Sequence, residues 1–490
     1  MTAAPSDILA APQPAARRGL WVPLACFYLS LLVAHLHLAS IAIPSTYAVA
    51  AAMSLGLLVL PVEYTIGALG GAFLAASSGD VGQLFLTMRW IFLGAGAVIL
   101  SLRFFLRRRA GQAAPSKFAY LLALFLVASM STVMTTTAPG LTVLKLGAVL
   151  CLFYVAWRAV GYLVENYGPA APRRLIIGLL AYALGFMLVA APSYLAYSGT
   201  YSHFSGYLGN PNTWAALLAT TLPWMAGPLL SRSRRQQSLG RRRLQALGLF
   251  VGSYLLLRAG SRAALVGALL AFAVTCLIHA NRRMAIMVVL ASVYITARLL
   301  ASPQLLPILV ERYLYKQNSQ QAQTDLLQSR LRPWQTARDN FRDNLWLGLG
   351  FGVTSKREAA WSADVRSSYS SETGSSIWGS LSQIGIVGAA PLFLALALLL
   401  FEAGRFAWKV RDPWFTGIYG SVLALSVNAI FEGWLLSPGN FISTYFWVQC
   451  FFVNALMSRF RPARARSASL SMPLADSLGP PDKRWAHGGV

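Results

Sequence analysis

The chain has 490 residues, of which 56% are hydrophobic and 12% charged, with 41 Lys and Arg against 16 Asp and Glu. So few polar side chains cannot cover a soluble globule of this length, and a mean hydropathy of +0.55 belongs to a polytopic membrane protein. The net charge of +25 does not argue for a nucleic acid partner, because the basic residues fall in short clusters between apolar runs.

In chain order, residues 1–20 are rich in Ala and Pro with little to bury, which predicts a disordered cytoplasmic N-terminus. The apolar stretch after Arg17 and Arg18 has no prominent small-residue cleavage site, and it reads as a retained first helix rather than a removed signal peptide. Runs long enough for about 30 Å of hydrocarbon predict crossings near 21–43, 46–61, 64–79, 86–104, 118–135, 141–160, 174–195, 213–230, 244–258, 261–279 and 284–300. Three more follow at 378–401, 415–434 and 442–457. Glu63 and several glycines leave 46–79 as two short spans or one broken one, so the expected total is 12 to 14. The runs do not alternate as barrel strands would, and the fold class is all-α, a transmembrane helical bundle.

Basic clusters at Arg103–Arg109, Arg232–Arg243, Arg282 and Arg283, Arg405–Arg411 and Arg459–Arg466 assign their loops to the cytoplasm. Both termini then lie inside, with 458–490 a disordered basic tail. Three segments fall outside: 198–212, the turn from Arg258 to Arg262, and a large loop over 302–377 between the helices of 21–300 and those of 378–457. That loop holds Glu311, Asp325, Asp339, Asp343, Glu358, Asp364 and Glu372, seven of the sixteen acidic residues, and is the natural place for chemistry. Cys26, Cys151, Cys276 and Cys450 sit inside apolar runs without metal-ligand spacing, so no disulfide framework and no metal site is expected. No solenoid repeat, Walker loop or dinucleotide fingerprint occurs, which argues against direct use of ATP.

Four stretches could carry chemistry. Asn210-Pro211-Asn212 ends an outer loop containing His203; Asn212 can cap the next helix, or the Asn side chains and the helix N-terminus can face an anionic or sugar ligand. Arg258 and Arg262 are four apart, on one face if the backbone is helical. Arg258 could simply snorkel, whereas the apolar run after Arg262 argues for an oriented, partnered charge. From 328 to 352, Arg330, Trp334, Ala337, Phe341 and Leu345 recur at helical spacing, predicting an amphipathic helix that ends at a glycine-rich turn, Gly348–Gly352. Its Arg330, Arg332, Arg338 and Arg342 would face phosphate headgroups. Glu372 precedes a helix carrying Ser375 and Ser376 in its first turn, where it can complement the helix dipole or act as a general base. Asn428 and Glu432 form a second polar pair near the outer end of a later span, more structural than catalytic in character.

The order of these motifs resembles the O-antigen ligase and polymerase superfamily of bacterial envelope glycosyltransferases. "GNPNTWAALL" looks like its Asn-Pro-Asn turn, "GSRAAL" like its Ser-Arg motif, "SRLRPWQTARDNFRDNLWLGLGFG" like its Arg-x-x-x-Trp helix ending in Gly-x-Gly, and "SLSQIGIVG" like its membrane re-entering segment. The resemblance implies a multi-pass protein of the bacterial inner membrane, with the 302–377 loop in the periplasm. It also implies transfer of a glycan from undecaprenyl pyrophosphate without nucleotide sugar, cofactor or metal. By position Arg262 and Arg330 would bind the pyrophosphate as catalytic residues. Arg258, Arg332, Arg338, Asn210, Asn212, His203 and Trp334 would contribute to substrate binding.

Lipid A core ligases of the family place a His-Asn pair before the re-entering helix, and counting back from Gly385 puts that histidine at Gly374. Glu372 becomes the expected base, with His203 in reserve. The departure favours a polymerase, whose acceptor is another lipid-linked repeat, over a ligase to lipid A core or protein. A lipid-linked sugar transporter is disfavoured because the polar residues gather on one side. Expected partners are the lipid-linked glycan, the acceptor, membrane lipids, and a chain-length regulator and export machinery.

Overall fold

The structure is a computed structural model, and it describes residues 62, 93–102, 116–180, 211–230, 239–279, 328–353 and 374–460. The expected first helix, the spans before Leu93, the span at 284–300, both termini and most of the 302–377 loop lie outside the described residues. All described elements are helical: α1 (Leu93–Leu102), α2 (Lys117–Ser131), α3 (Pro139–Tyr167), α4 (Pro211–Leu230), α5 (Leu239–Ala259), α6 (Arg262–Ile278), α7 (Gln328–Asp343), α8 (Ser376–Val410), α9 (Pro413–Phe431) and α10 (Phe441–Phe460). Among the described residues, five apolar stretches are long enough to cross a membrane: Lys117–Met134, Pro139–Leu180, Ser376–Val410, Pro413–Phe431 and Phe441–Phe460. This is a polytopic helical membrane bundle.

Local chemistry sets the helix ends. Ser116 caps α2 by accepting from Ala119 N at 3.2 Å, and Pro139 opens α3 where a missing N–H costs nothing. Between α8 and α9 only two residues intervene. Arg411 closes α8 in the left-handed region (φ 52), and Asp412 starts α9 by accepting from Phe415 N at 2.6 Å, ahead of Pro413. The expected spans 141–160 and 174–195 are joined more closely than anticipated. Helix α3 runs on to Tyr167, passes a 3-10 turn at Gly168–Ala170 (φ 48 at Gly168), and resumes over 171–180.

Small residues decide how the core packs. A Cβ on Gly267 of α6 would fall 2.4 Å from the carbonyl oxygen of Ala424 on α9, and one on Gly227 of α4 would fall 2.2 Å from that of Pro413. Backbones therefore touch directly, which is how helices associate where lipid removes the hydrophobic incentive. Larger side chains fill the other half: Phe153 packs on Trp447 (4.6 Å between ring centres) and Phe451 (5.6 Å), joining α3 to α10. Trp224 donates to Gln449 Oε1 at 3.0 Å, so the buried polar groups of α4 and α10 satisfy each other.

Candidate active site

Packing partners fix the register of the central helices. Gly267 lies against Ala424, and Gly420 lies against Ala271 and Thr275, so α6 and α9 are antiparallel. The first turn of α6, with Arg262, therefore stands level with the last turns of α9, Asn428 to Phe431. Gly227 meets Pro413 and Gly417 meets Pro223, so α4 is antiparallel to α9 too, and Asn212 in its first turn reaches the same end. Ser376, first in α8, donates to the carbonyl of Glu432 at 2.6 Å and accepts from Leu435 N at 3.1 Å, placing the α8 N-terminus there as well. Finally α7 is attached by Trp334, whose indole N–H donates to the Gly374 carbonyl at 3.0 Å and whose ring lies 6.3 Å from Phe431.

One end of the bundle thus collects the N-termini of α4, α6 and α8, the C-termini of α5 and α9, and the arginine-rich α7. Three helix N-termini give it a positive potential before any side chain is counted. Arg258 is exposed in the last turn of α5, and Arg332, Arg338 and Arg342 are exposed on α7. Arg262 is half-buried and opens α6 directly after the buried Ser261. Such a cluster can hold a multiply charged anion and neutralise charge that develops on a leaving group.

Several expectations are refined. Arg258 and Arg262 do not share one helical face: Gly260 (φ 65) ends α5, and α6 starts afresh at Arg262. Ser375 is the N-cap of α8, accepting from Trp378 N at 3.4 Å, and only Ser376 begins the helix. Glu432 leaves α9 in extended conformation (φ −133), so it is not one helical turn beyond Asn428. Asn428 is fully buried and accepts from Trp434 Nε1 at 2.7 Å. On α7, Trp334 and Phe341 are half-buried and Ala337 buried, but the helix ends at Asp343 and Leu345 is exposed beyond it. Arg330 lies in the first turn of α7, with its side chain outside the described residues, as are Glu372, His203 and Asn210 altogether.

The device that holds α7 in place was only half visible in sequence. Inside α8, Gly385 takes φ 58 and ψ −168, a conformation essentially confined to glycine, and the helical ladder breaks there. The turn after α7 fills the break. Leu349 N donates to Ser382 O at 2.9 Å and Gly350 N to Gln383 O at 3.0 Å, while Ile386 N and Val387 N donate to Leu345 O and Trp346 O at 2.9 and 3.2 Å. Gly348, Gly350 and Gly352 all have positive φ, and a Cβ on Gly348 would sit 2.4 Å from the Gln383 backbone. Phe351 N donates to Thr132 Oγ1 at 3.2 Å, Gly352 N to Gln383 Oε1 at 3.0 Å, and Lys145 to the Gly352 carbonyl. The alternating glycines and the Gly385-Ile-Val-Gly388 run were the signal, but nothing in either stretch said that they meet.

Titration is perturbed at the opposite end. Burial pushes the Asp412 carboxyl up, against the backbone N–H groups of Phe415 and Trp414, which pull it down. Burial, then the neighbouring Arg411, pushes His279 down from its usual 6.5. No group of three His, Cys, Asp or Glu within metal-binding reach occurs among the described residues.

The fold and this end define a class: a multi-pass helical membrane protein with arginines gathered at one end of its helices. Residues 247–390, from within α5 to just past the break in α8, match the family model described as O-antigen ligase, of the O-antigen ligase and polymerase superfamily. A search of curated proteins found no match. The matched stretch includes Arg258, Arg262, the whole of α7 and the Gly348–Gly385 contact.

Proposed function

We propose that the protein is a membrane glycosyltransferase that polymerises undecaprenyl-pyrophosphate-linked repeat units, working at the arginine-rich end of the bundle with that end facing the periplasm of a bacterial inner membrane. The observation that carries this reading is the convergence of Arg262 with α7 and the α8 N-terminus, all inside the segment that matches the O-antigen ligase model.

In the reaction an acceptor sugar hydroxyl attacks the anomeric carbon of the donor while Glu372 takes the hydroxyl proton. The glycosidic C–O bond breaks with its electron pair passing to the pyrophosphate, and Arg262 and Arg330 neutralise the growing charge. The configuration at the anomeric carbon inverts. Arg258, Arg332 and Arg338 widen the anion-binding surface. Trp334 ties this surface to Gly374, next to the segment that carries the base.

The acceptor is read as a second lipid-linked repeat because Gly374 stands where lipid A core ligases place a histidine. Its φ of 64 also suits glycine rather than a side chain. The name of the matching family supports a second reading, a ligase that moves finished chains to lipid A core or protein. A gel of surface and carrier-linked glycan from a deletion strain separates the two. Single repeat units in the deletion, unrestored by Arg262→Ala or Glu372→Gln, are expected for a polymerase. Long chains persisting on the carrier would establish the ligase instead.

A further inference from the structure

Lys145 is the only charged residue between Lys117 and Arg158, and it lies inside the apolar stretch Pro139–Leu180. At the rise of an α-helix it stands about 9 Å along α3 from Pro139. An ammonium group so placed is costly in lipid and is kept where a partner holds it. Here the partner is the turn that follows α7. The Lys145 ammonium donates to the Gly352 carbonyl, and its stem lies across the same glycine, where a Cβ would fall 2.1 Å from Lys145 Cδ. The rest of the turn is seated between α2 and α3. A Cβ on Gly350 would fall 2.1 Å from Thr136 Oγ1, and the buried Phe351 ring lies 6.4 Å from that of Phe125. Because Gln383 of α8 takes the N–H of Gly352, this glycine is gripped at both polar groups, by α8 and by α3. Helices α2 and α3 stand outside the 247–390 segment that matches the family model.

We propose that Lys145 is a positioning residue for glycan transfer: its bond to Gly352 sets where α7 holds Arg330, Arg332 and Arg338 relative to the departing pyrophosphate. The proposal rests on the reading of the protein as a transferase with a pyrophosphate leaving group. Helix α7 has two attachments. Trp334 ties its first half to Gly374, and the turn beyond Asp343 ties its end to α8 and to the α2–α3 socket. With the turn released, α7 pivots about Trp334. A shift of about 1 Å in a group that serves the transition state costs about 100-fold in rate. Arg258 and Arg262 flank the α5–α6 turn, which this attachment does not hold, so the ground-state pyrophosphate keeps its grip. The loss therefore falls on kcat rather than on KM. A lysine that only stabilised the bundle would instead lower the folded fraction and leave the rate per folded molecule intact.

The test uses the full-length protein in nanodiscs, with the lipid-linked repeat unit extracted from the deletion strain as donor. Lys145→Met keeps the stem and removes the hydrogen-bond donor. It is expected to lower kcat by about 10- to 100-fold with KM within about threefold of wild type. Lys145→Arg, which keeps a charged donor, is expected to hold kcat within about fivefold. Amide hydrogen exchange on the same samples needs no substrate and reads the attachment itself, since the N–H groups of Leu349, Gly350, Phe351 and Gly352 are all bonded. Exchange in the 345–353 peptide should be slow in wild type and at least about tenfold faster in Lys145→Met, with α9 and α10 unchanged. A turn that exchanges as in wild type, or one that exchanges faster at wild-type kcat, would overturn the positioning role. So would a defect that Lys145→Arg shares in full, and a loss of protection that extends through α9 and α10 would make Lys145 structural alone. No transfer from the donor by wild type would overturn the proposed function, and the positioning role with it.

Discussion

Arginines stand at both ends of the helical bundle and are used differently. At the end formed by the α8–α9 junction and the α10 C-terminus, Arg459 donates to the carbonyl of Val164. There too, Arg174 lies 3.8 Å above the Tyr167 ring, Arg173 5.9 Å from Trp414 and Arg405 5.6 Å from Phe401. These guanidinium groups are committed to helix ends and aromatic faces. At the other end Arg258, Arg332, Arg338 and Arg342 are exposed, and none of them has a hydrogen bond, ring contact or ion pair among the described residues. A positive charge with no partner among the described residues, placed beside three helix N-termini, can serve a ligand. Composition alone makes the two ends look alike, and only the contacts around each arginine tell them apart.

The comparison would break most visibly at Arg262. If the arginines of the site end serve the leaving group, Arg262→Ala should lower glycan transfer by about 100- to 1,000-fold, the usual loss when a charge-stabilising group is removed. Folding should change by less than about 1 kcal/mol, as expected for a half-exposed side chain. Transfer assays beside urea or thermal unfolding in detergent give both quantities. A variant that loses stability but keeps its rate per folded molecule would assign Arg262 to the anchoring set.

Next in size is Gly385→Ala, which tests whether the site end depends on the broken helix. The new Cβ would lie 2.2 Å from the Trp346 carbonyl oxygen and 2.6 Å from Leu347 N, at a φ that L residues avoid. Strain and clash together should cost about 3 kcal/mol or more. Because the turn after α7 would be expelled from the break, activity should fall along with stability. Wild-type stability in this variant would mean that the turn and α8 do not pair as described.

Arg459→Met probes the other end. Val164 keeps the backbone N–H of Gly168 as a second donor, so the loss should be about 1 kcal/mol, the net worth of one hydrogen bond. The rate per folded molecule should stay within about twofold of wild type. A large catalytic defect would show that the two ends are coupled.

Sequence made the helices legible because apolar runs and caps are local. Helices α4, α6, α9 and α10 begin within two residues of the expected spans, and each starts at a Pro, Ser or Asn signal in the chain: Pro211, Ser261, Asp412-Pro413 or Asn440. The gathering of Asn212, Arg262 and α7 at one end was legible only as parity, since all three followed from counting crossings. What remained hidden depends on contacts far apart in the chain. The union of Leu349 and Gly350 with Ser382 and Gln383 is backbone hydrogen bonding, which carries no side-chain pattern. The partner of Trp334 was hidden too, since its indole N–H spans forty residues to reach the Gly374 carbonyl.

The smallest effect separates the ends by pH. His279 closes α6 at the anchoring end, 7% exposed, with burial and Arg411 holding it neutral below its usual 6.5. Its folded form binds fewer protons than its unfolded form in that window. The stability contribution of the neutral imidazole is therefore complete above pH 6.5 and is lost as pH falls from 6.5 towards the lowered folded value. Asp412 works with the opposite sign. Its raised folded pKa means that the folded carboxyl keeps a proton the unfolded chain has released, so its contribution declines as pH rises above the usual 3.8. His279→Gln removes the first slope and leaves the second. Unfolding in detergent between pH 7.5 and 5.5 should show wild type losing more stability on acidification than His279→Gln, with the two converging at the upper end once their constant offset is subtracted. Equal slopes would mean that His279 takes up its proton at the same pH folded and unfolded, and that Arg411 at this end does not act on it.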